Sequence, residues 1–458
     1  MRFGAGFIGL VLGVVMASAA AAQEVAGDWD GALTIGGGMT LRLALHVVHE
    51  PDGLTATLDS LDQGALGIPA SSTALDGGKV RIEVTKIGGA FVGALSADGT
   101  TLSGDWSQGG RATPLIFTRR AASVAAPTRH RPQTPHKPYP YREDEVSYPS
   151  TPGVRLAGTL TLPEGPGPFP AVVLIAGSGP HERDEEVFGH KLFLVLGDHL
   201  TRNGIAVLRY DKRGLGGSTG DYKTATSADF AADAEASAAY LRGRPEIDRR
   251  RVGLIGHSEG GAIAPMVAAK VTAVAFVVLM AGPGIRGDEL LLKQQALVGR
   301  AMGVPEDKLA EGRAINRELY AAVEGATGSV DAAVKARAVL TAAGLPPQAV
   351  EAAVQQSSSN WIRFFLAYDP APTLAKVKCP VLALNGSKDL QVPPAEDLAA
   401  IKGALAGNPD VQTVELHGLN HLFQTATTGA PSEYAQIEET MSPRALDLIT
   451  GWIRARTP

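Results

Sequence analysis

Two hydrophobic periodicities divide the chain. Between about residues 27 and 119, apolar or small positions recur at every second residue, as in Leu41, Leu43, Leu45 and Val47, in Val80, Ile82 and Val84, and in Phe91, Gly93 and Leu95. Such alternation puts one face of a strand in a core and the other in water. Asp52-Gly53, Asp76-Gly77, Asp98-Gly99 and Gly109-Gly110 separate the runs and supply turn chemistry. Short antiparallel strands at this spacing predict a small all-β barrel or sandwich over 24–120. It holds no cluster of acid, base and nucleophile, so an accessory packing role is expected, with recruitment of a ligand or substrate as the alternative.

From residue 142 the pattern changes. Continuous apolar runs at 154–162, 171–176, 205–210, 252–255 and 271–281 read as strands, and 187–203 and 227–242 between them have helical spacing. Alternating strands and helices predict a largely parallel sheet covered by helices. Residues of about 285–366 break the rhythm: Ala, Glu, Lys and Gln recur at helical spacing without an apolar strand, as in a helical cap inserted into the sheet domain. Strand, helix and strand resume at 381–384, 394–405 and 411–416, and a terminal helix is expected from about Ser432. Residues 121–141 carry Pro127, Pro132, Pro135, Pro138 and Pro140, which cannot sustain a ladder and predict an extended connector with His130 and His136 in water.

A chain of 458 residues exceeds one ordinary core and predicts two or three folded units. Hydrophobic content of 45% with 19% charged residues fits a soluble globular protein, and a net charge of −5 gives no electrostatic case for nucleic acid or an anionic membrane. Arg2, the apolar stretch 7–16 and Ala20-Ala21-Ala22 before Gln23 read as a signal peptide over 1–22. Cleavage after about Ala22 would export the protein to the periplasm or the medium; an uncleaved anchor is the alternative. The apolar stretch is short for a span, so no stable membrane insertion is expected. Cys379 is the single cysteine, so no internal disulfide can form; it precedes Pro380 at a strand start and reads as a buried small residue.

The chemistry centres on Arg251-Val-Gly-Leu-Ile-Gly256-His257-Ser258-Glu259-Gly260-Gly261. A strand running into G-x-S-x-G and then a helix forces the serine into a strained bend with its hydroxyl exposed, so Ser258 is the candidate nucleophile. A serine needs a base, and the base needs an acid to fix its tautomer. In chain order after Ser258, Asp389 is the acid candidate and His421 the base candidate, each in a loop beyond a strand. His417 is the weaker candidate for the base, and Asp184 and Asp211 for the acid. His257 is expected below the turn in a structural role. The oxyanion of acyl transfer requires donors. The Glu259 amide is one candidate, and the loop Gly177-Ser178-Gly179-Pro180 supplies the other, Ser178 before Gly179. Asp211 and Arg213 are expected to pair with each other. Trp361, Phe364, Phe365 and Tyr368 are expected in core packing, with pocket lining as the alternative.

In combination, Gly177-Ser-Gly-Pro180, Tyr210-Asp-Lys-Arg-Gly214, Gly256-His-Ser-Glu-Gly260, Asn385-Gly-Ser-Lys-Asp389-Leu-Gln-Val and Gly418-Leu-Asn-His421 resemble the α/β-hydrolase superfamily over 142–458. Two Gly-Asp-Trp turns, Gly27-Asp28-Trp29 and Gly104-Asp105-Trp106, extend the resemblance to bacterial two-domain serine carboxylesterases with an N-terminal β-domain. The resemblance implies hydrolysis of short-chain acyl esters of small molecules through an acyl-serine intermediate, with no metal or organic cofactor. It assigns Ser258 to attack, His421 to proton transfer, Asp389 to orientation, and the amides of Glu259 and Ser178 to the oxyanion. The Glu259 carboxylate receives no role. A serine peptidase, thioesterase or acyltransferase would use the same residues, and an exported binding or scaffold protein that has lost activity is the alternative of another class.

Overall fold

A computed structural model describes residues 25–34, 40–50, 53–60, 65–76, 78–108, 110–120 and 130–458. The expected signal peptide, residues 121–129 of the connector with Pro127, and Asp52, Gly77 and Gly109 of the turn pairs lie outside the described residues. The chain divides into two compact units, 1–128 and 129–458.

The first unit contains β1 (Gly27–Thr34), β2 (Thr40–Glu50), β3 (Gly53–Ser60), β4 (Ala65–Pro69), β5 (Ser72–Asp76), β6 (Lys79–Val84), β7 (Gly89–Leu95), β8 (Thr101–Gln108) and β9 (Arg111–Arg119). They form one antiparallel sheet in the order β4-β3-β2-β1-β9-β8-β7-β6-β5. β9 returns to pair with β1, Trp29 opposite Arg119, and the sheet curls until β3 approaches β5. This is a half-barrel rather than a sandwich of two sheets. The alternating residues fill its interior: Trp29, Val80, Ile82, Val84, Phe91, Leu102 and Phe117 are buried. The two Gly-Asp-Trp triplets are not turns. They lie inside β1 and β8, where each tryptophan enters the core and Gly104 lets β7 approach; a Cβ there would lie 2.1 Å from the Val92 carbonyl oxygen.

The second unit contains β10 (Arg142–Pro149), β11 (Arg155–Leu162), β12 (Phe169–Ile175), β13 (Glu186–Val187), β14 (His190–Lys191), β15 (Ala206–Tyr210), β16 (Ile247–His257), β17 (Val277–Met280), β18 (Val381–Gly386) and β19 (Val411–Leu416). Eight of them form a sheet in the order β10-β11-β15-β12-β16-β17-β18-β19. β10 and β11 are antiparallel additions at one edge, and β15 onward is parallel. The central strands read as unbroken apolar runs because helices cover both faces, each face with its own core. All parallel strands therefore end at one edge, where the loops after β12, β16, β17, β18 and β19 meet.

Four details depart from the sequence expectations. Residues 186–191 form the small β13–β14 hairpin, and the helix begins only at Leu192. β17 is limited to Val277–Met280. A four-residue helix, Pro431–Tyr434, precedes the terminal helix Pro443–Arg456. The later part of the proline-rich stretch is seated on the second unit. The Arg131 guanidinium donates to the carbonyls of Phe188, Ala435 and Ile437, and Gln133 accepts from the Thr440 and Met441 amides and donates to the Met441 carbonyl. Proline removes ladder donors but leaves side chains free to satisfy a neighbouring loop. His130 and His136 are exposed.

In the first unit, His46 of β2 stands between two carboxylates, Nδ1 2.6 Å from Asp28 of β1 and Nε2 3.2 Å from Asp59 of β3. The hydrogen bond to Asp59, against the cost of burial and reinforced by Asp28, holds the imidazole charged and raises its pKa from 6.5 to about 9. A raised folded value stabilises the protonated form. This contribution is complete below pH 6.5 and is lost as pH rises through about 9. An NMR titration of the His46 ring should show it still protonated at about pH 8, and Asp59→Asn should lower its midpoint. A ring titrating near the ordinary histidine value in the wild type would contradict this.

Candidate active site

β16 delivers Ser258 at the sheet edge with φ 52° and ψ −118°, a conformation costly for a residue with a Cβ. The surrounding glycines make the bend feasible. A Cβ on Gly256 would lie 1.9 Å from the Gly260 carbonyl oxygen, and one on Gly260 would lie 2.0 Å from the Ile175 carbonyl oxygen. The Ser258 amide donates to the Met280 carbonyl at 2.8 Å, tying the turn to β17. Beyond it, Glu259–Ala268 is a wholly buried helix.

Asp389 follows β18 and His421 follows β19, and the structure brings them together. His421 Nδ1 donates to Asp389 Oδ2 at 2.7 Å, with both side chains buried. The other Asp389 oxygen accepts from the amides of Gln391 and Val392, at 2.7 and 2.9 Å. The loop carrying His421 is stiffened by buried Asn420, whose Oδ1 accepts from the Leu422 and Gln424 amides. Ser258 and His421 line the same cavity but make no hydrogen bond with each other in this structure. His417 is exposed at the start of the loop. Asp184 and Asp211 are committed elsewhere: Asp184 pairs with Arg209, and Asp211 accepts from Arg183 Nε and Nη2 at 2.9 and 2.7 Å. The expected Asp211–Arg213 pair does not form. Arg213 instead holds Asp233 on the Ser227–Arg242 helix, at 2.7 and 2.9 Å, because that carboxylate is buried beside it.

The loop after β12 lies against the serine: a Cβ on Gly177 would be 3.1 Å from the Ser258 Cβ. Its polar atoms are allotted one by one. The Gly177 amide donates to Glu185 Oε1 at 2.6 Å, the Gly177 carbonyl accepts from Lys212 Nζ at 2.5 Å, and the Ser178 carbonyl accepts from His181 Nε2 at 2.8 Å. Among the described residues, the amides of Ser178 and Glu259 have no protein acceptor. Both residues border the cavity, whereas Gly179 does not.

Below the serine, His257 does more than fill space. Its Nε2 donates to the His421 carbonyl at 3.0 Å and its Nδ1 faces Glu185 Oε1 at 2.9 Å. Burial opposes the charge on His257, but the Glu185 carboxylate outweighs it and raises its pKa; burial likewise opposes the charge on Glu185, and His257 outweighs it and lowers its pKa. Under the turn, each member of the pair therefore favours the charged form of the other. Sequence reasoning missed Glu185, which stands in a loop without a motif of its own.

The cap is formed by Gly287–Ala301, Glu306–Glu324, Ser329–Ala342, Pro347–Ser357 and Asn360–Ala367, with a small core of its own. It roofs a cavity of about 420 Å³ over Ser258, contributing Leu290, Leu291, Gln294, Trp361 and Phe365. The expected aromatic set therefore splits. Trp361 and Phe365 line the cavity, while Phe364 and Tyr368 stack on each other at 5.8 Å and pack on the sheet core. Trp361 Nε1 also donates to Glu259 Oε1 at 2.6 Å, an oxygen that accepts from Ser227 Oγ at the same distance. The Glu259 carboxylate, given no part by the sequence, thus ties the cap to the turn. At the base of the cap, buried Asp397 accepts from the amides of Gly284 and Ile285, and desolvation pushes its pKa up to about 7.

Removing one member of a buried ion pair strands the other, at a cost of about 3–5 kcal/mol. Glu185→Leu should therefore lower the urea-unfolding midpoint sharply, and Glu185→Leu combined with His257→Phe should lose less than the sum of the single losses. Additive losses in denaturation curves would show that the two side chains do not act as a pair.

The sequence profile described as the alpha/beta hydrolase family matches residues 172–437, more than half of the chain. Esterase EstD of Thermotoga maritima is 27% identical over 299 residues, 65% of this chain and 65% of its own, so the chain spans about 65% of the length of that relative. Among solved structures, the Pyrococcus furiosus esterase Pf2001 is 17% identical with a TM-score of 0.43, covering 69% of this chain and 93% of its own. The α/β hydrolase GrgF from Penicillium sp. sh18 is 17% identical with a TM-score of 0.41, covering 61% of this chain and 91% of its own. With a parallel sheet ending in these loops and a family profile spanning its core, the chain belongs to the alpha/beta hydrolase family.

Proposed function

We propose that this protein is a serine esterase acting on small, uncharged, short-chain acyl esters. The observation that carries the reading is the 2.7 Å hydrogen bond from His421 to Asp389, with His421 and the strained Ser258 facing one cavity. Ser258 Oγ attacks the ester carbonyl carbon while His421 Nε2 takes the hydroxyl proton. The carbonyl oxygen becomes an oxyanion between the unoccupied amides of Ser178 and Glu259. The tetrahedral intermediate collapses, the carbon–oxygen bond to the alcohol breaks, and His421 returns the proton to the leaving oxygen. Water, deprotonated by His421, then releases the acid and restores Ser258. Asp389 keeps the Nδ1 proton in place and stabilises the imidazolium between steps. The open distance between serine and histidine is compatible with this, since such contacts commonly tighten only around substrate.

The cavity supports the substrate class. Its walls are mainly apolar, with Leu290, Leu291, Phe365, Val392 and Leu422, and the buried charges at its floor are already paired, Glu185 with His257 and Glu259 with Lys212. Among the described residues that line it, no unpaired charge is offered to a charged acyl or alcohol group. Resemblance to an esterase of known name fits this chemistry. The proposal includes export, on the strength of the pattern over 1–22.

The test is a panel of p-nitrophenyl esters from acetyl to octanoyl, alongside thioesters and anilides. The wild type should hydrolyse the short esters and be labelled by a serine-directed phosphonate. Ser258→Ala and His421→Ala should each cost roughly 10⁴-fold or more in kcat. His417→Ala should leave kcat unchanged. A wild type that neither turns over an ester nor takes the label would remove the esterase reading. Loss of activity in His417→Ala alone would transfer the base to that residue.

A further inference from the structure

Lys212 is a lysine with 3% exposure, and the reaction sequence above gives it no part. Its ammonium makes three contacts: the Gly177 carbonyl oxygen at 2.5 Å, Glu259 Oε2 at 3.4 Å and the face of the Phe230 ring at 4.6 Å. Burying an ammonium is costly unless every partner is well placed. Apolar packing alone would therefore not retain a lysine here.

The Gly177 carbonyl and the Ser178 N–H belong to one trans peptide unit, so they point in opposite directions. Whatever fixes the carbonyl fixes the N–H. Lys212 draws the carbonyl toward the interior, which leaves the Ser178 N–H on the opposite side of the peptide plane, with no acceptor among the described residues, in a residue that borders the cavity. A charge-assisted bond is about twice as strong as a neutral one, and it polarises the peptide so that the N–H becomes a better donor. On the preceding peptide, Glu185 holds the Gly177 amide, so the glycine is clamped from both sides. The Glu259 carboxylate balances the ammonium, and the contribution is therefore orientation rather than a net positive field. Glu259 also supplies the second open amide, so one ion pair links the Gly177 carbonyl, on the peptide that carries the Ser178 N–H, to the residue that carries the other donor.

We propose that Lys212 is a positioning residue for the oxyanion hole: by gripping the Gly177 carbonyl it aims the Ser178 N–H at the developing oxyanion, and its salt bridge to Glu259 locks the two donor segments together. The proposal rests on the esterase reading. It predicts an effect confined to the transition state, because a ground-state ester carries little charge on its carbonyl oxygen.

The experiment compares Lys212→Met with the wild type in three measurements on the full chain. These are kcat and KM on a p-nitrophenyl ester, inhibition by a trifluoromethyl ketone that forms a tetrahedral adduct with serine, and inhibition by the unreactive ether isostere of the ester. Losing an oxyanion donor outright costs about 10²–10³ in kcat. Loss of its alignment should cost roughly tenfold to a hundredfold, with KM within about twofold. Affinity for the trifluoromethyl ketone should fall by the same factor as kcat, and affinity for the ether should not change. Lys212→Met combined with Glu259→Gln, which removes both charges of the pair and keeps acceptors for Ser227 and Trp361, should show the same losses; it decides the matter if the single variant does not fold. Wild-type kcat in these variants, or parallel losses for ketone and ether, would overturn the proposal. Turnover that depends on Ser258 is the control: its absence defeats the esterase reading, whereas its presence with unaltered Lys212 variants defeats only this inference.

Discussion

A carboxylate and an imidazole buried beneath a strained turn must answer each other, and in this protein that pairing fixes the site. Glu185 and His257 are almost wholly inaccessible. Between them they hold the Gly177 amide of the loop after β12, the turn after β16, and the His421 carbonyl in the loop after β19. The parallel sheet brings these three loops to one edge but does not set them to within a fraction of an ångström. The ion pair does, at positions where a buried charge cannot shift without losing its partner.

A second layer of charge lies beside the first. Lys212 and Glu259 take up the next carbonyl, the next residue of the turn and one tryptophan of the cap. Both pairs compensate internally, which leaves a largely apolar chamber with open backbone donors and one histidine backed by Asp389. Desolvated dipoles held in place before the reaction are worth far more than mobile ones. The chamber gathers its polar groups beside Ser258 and His421 and leaves apolar walls around them.

The sequence made legible what depends on local rules. Alternation at Leu41 to Val47 and at Val80 to Val84 marked strands of the first unit, and unbroken apolar runs marked the parallel sheet of the second. Turn chemistry around Ser258 and the chain order of Asp389 and His421 pointed to the loops that the structure assembles at one edge. What stayed hidden depends on pairings between distant segments. Arg213 lies two residues from Asp211 yet turns to Asp233, and Asp211 turns to Arg183, because both lie beyond the end of β15, where strand alternation no longer sets side-chain direction and distant partners decide it. Glu185 sits in a loop whose composition gives no sign of burial. Lys212 was visible inside a recognised stretch, but only the fold shows which carbonyl it reaches. The Gly-Asp-Trp triplets read as turns because glycine and aspartate favour them, and β-pairing of both neighbours overrode that preference.

The hydrogen bond from Trp361 to Glu259 gives the roof of the cavity and the floor of the site a common atom. A lineage that exchanged this tryptophan for a smaller residue to admit a bulkier substrate would, in the same step, strip a donor from a buried carboxylate adjacent to Ser258. Leu290, Leu291 and Phe365 line the same cavity through apolar contact and have no such tie. Substitution along the aliphatic and phenylalanine wall would therefore reshape the cavity without reaching the turn, whereas substitution at the indole would reach it.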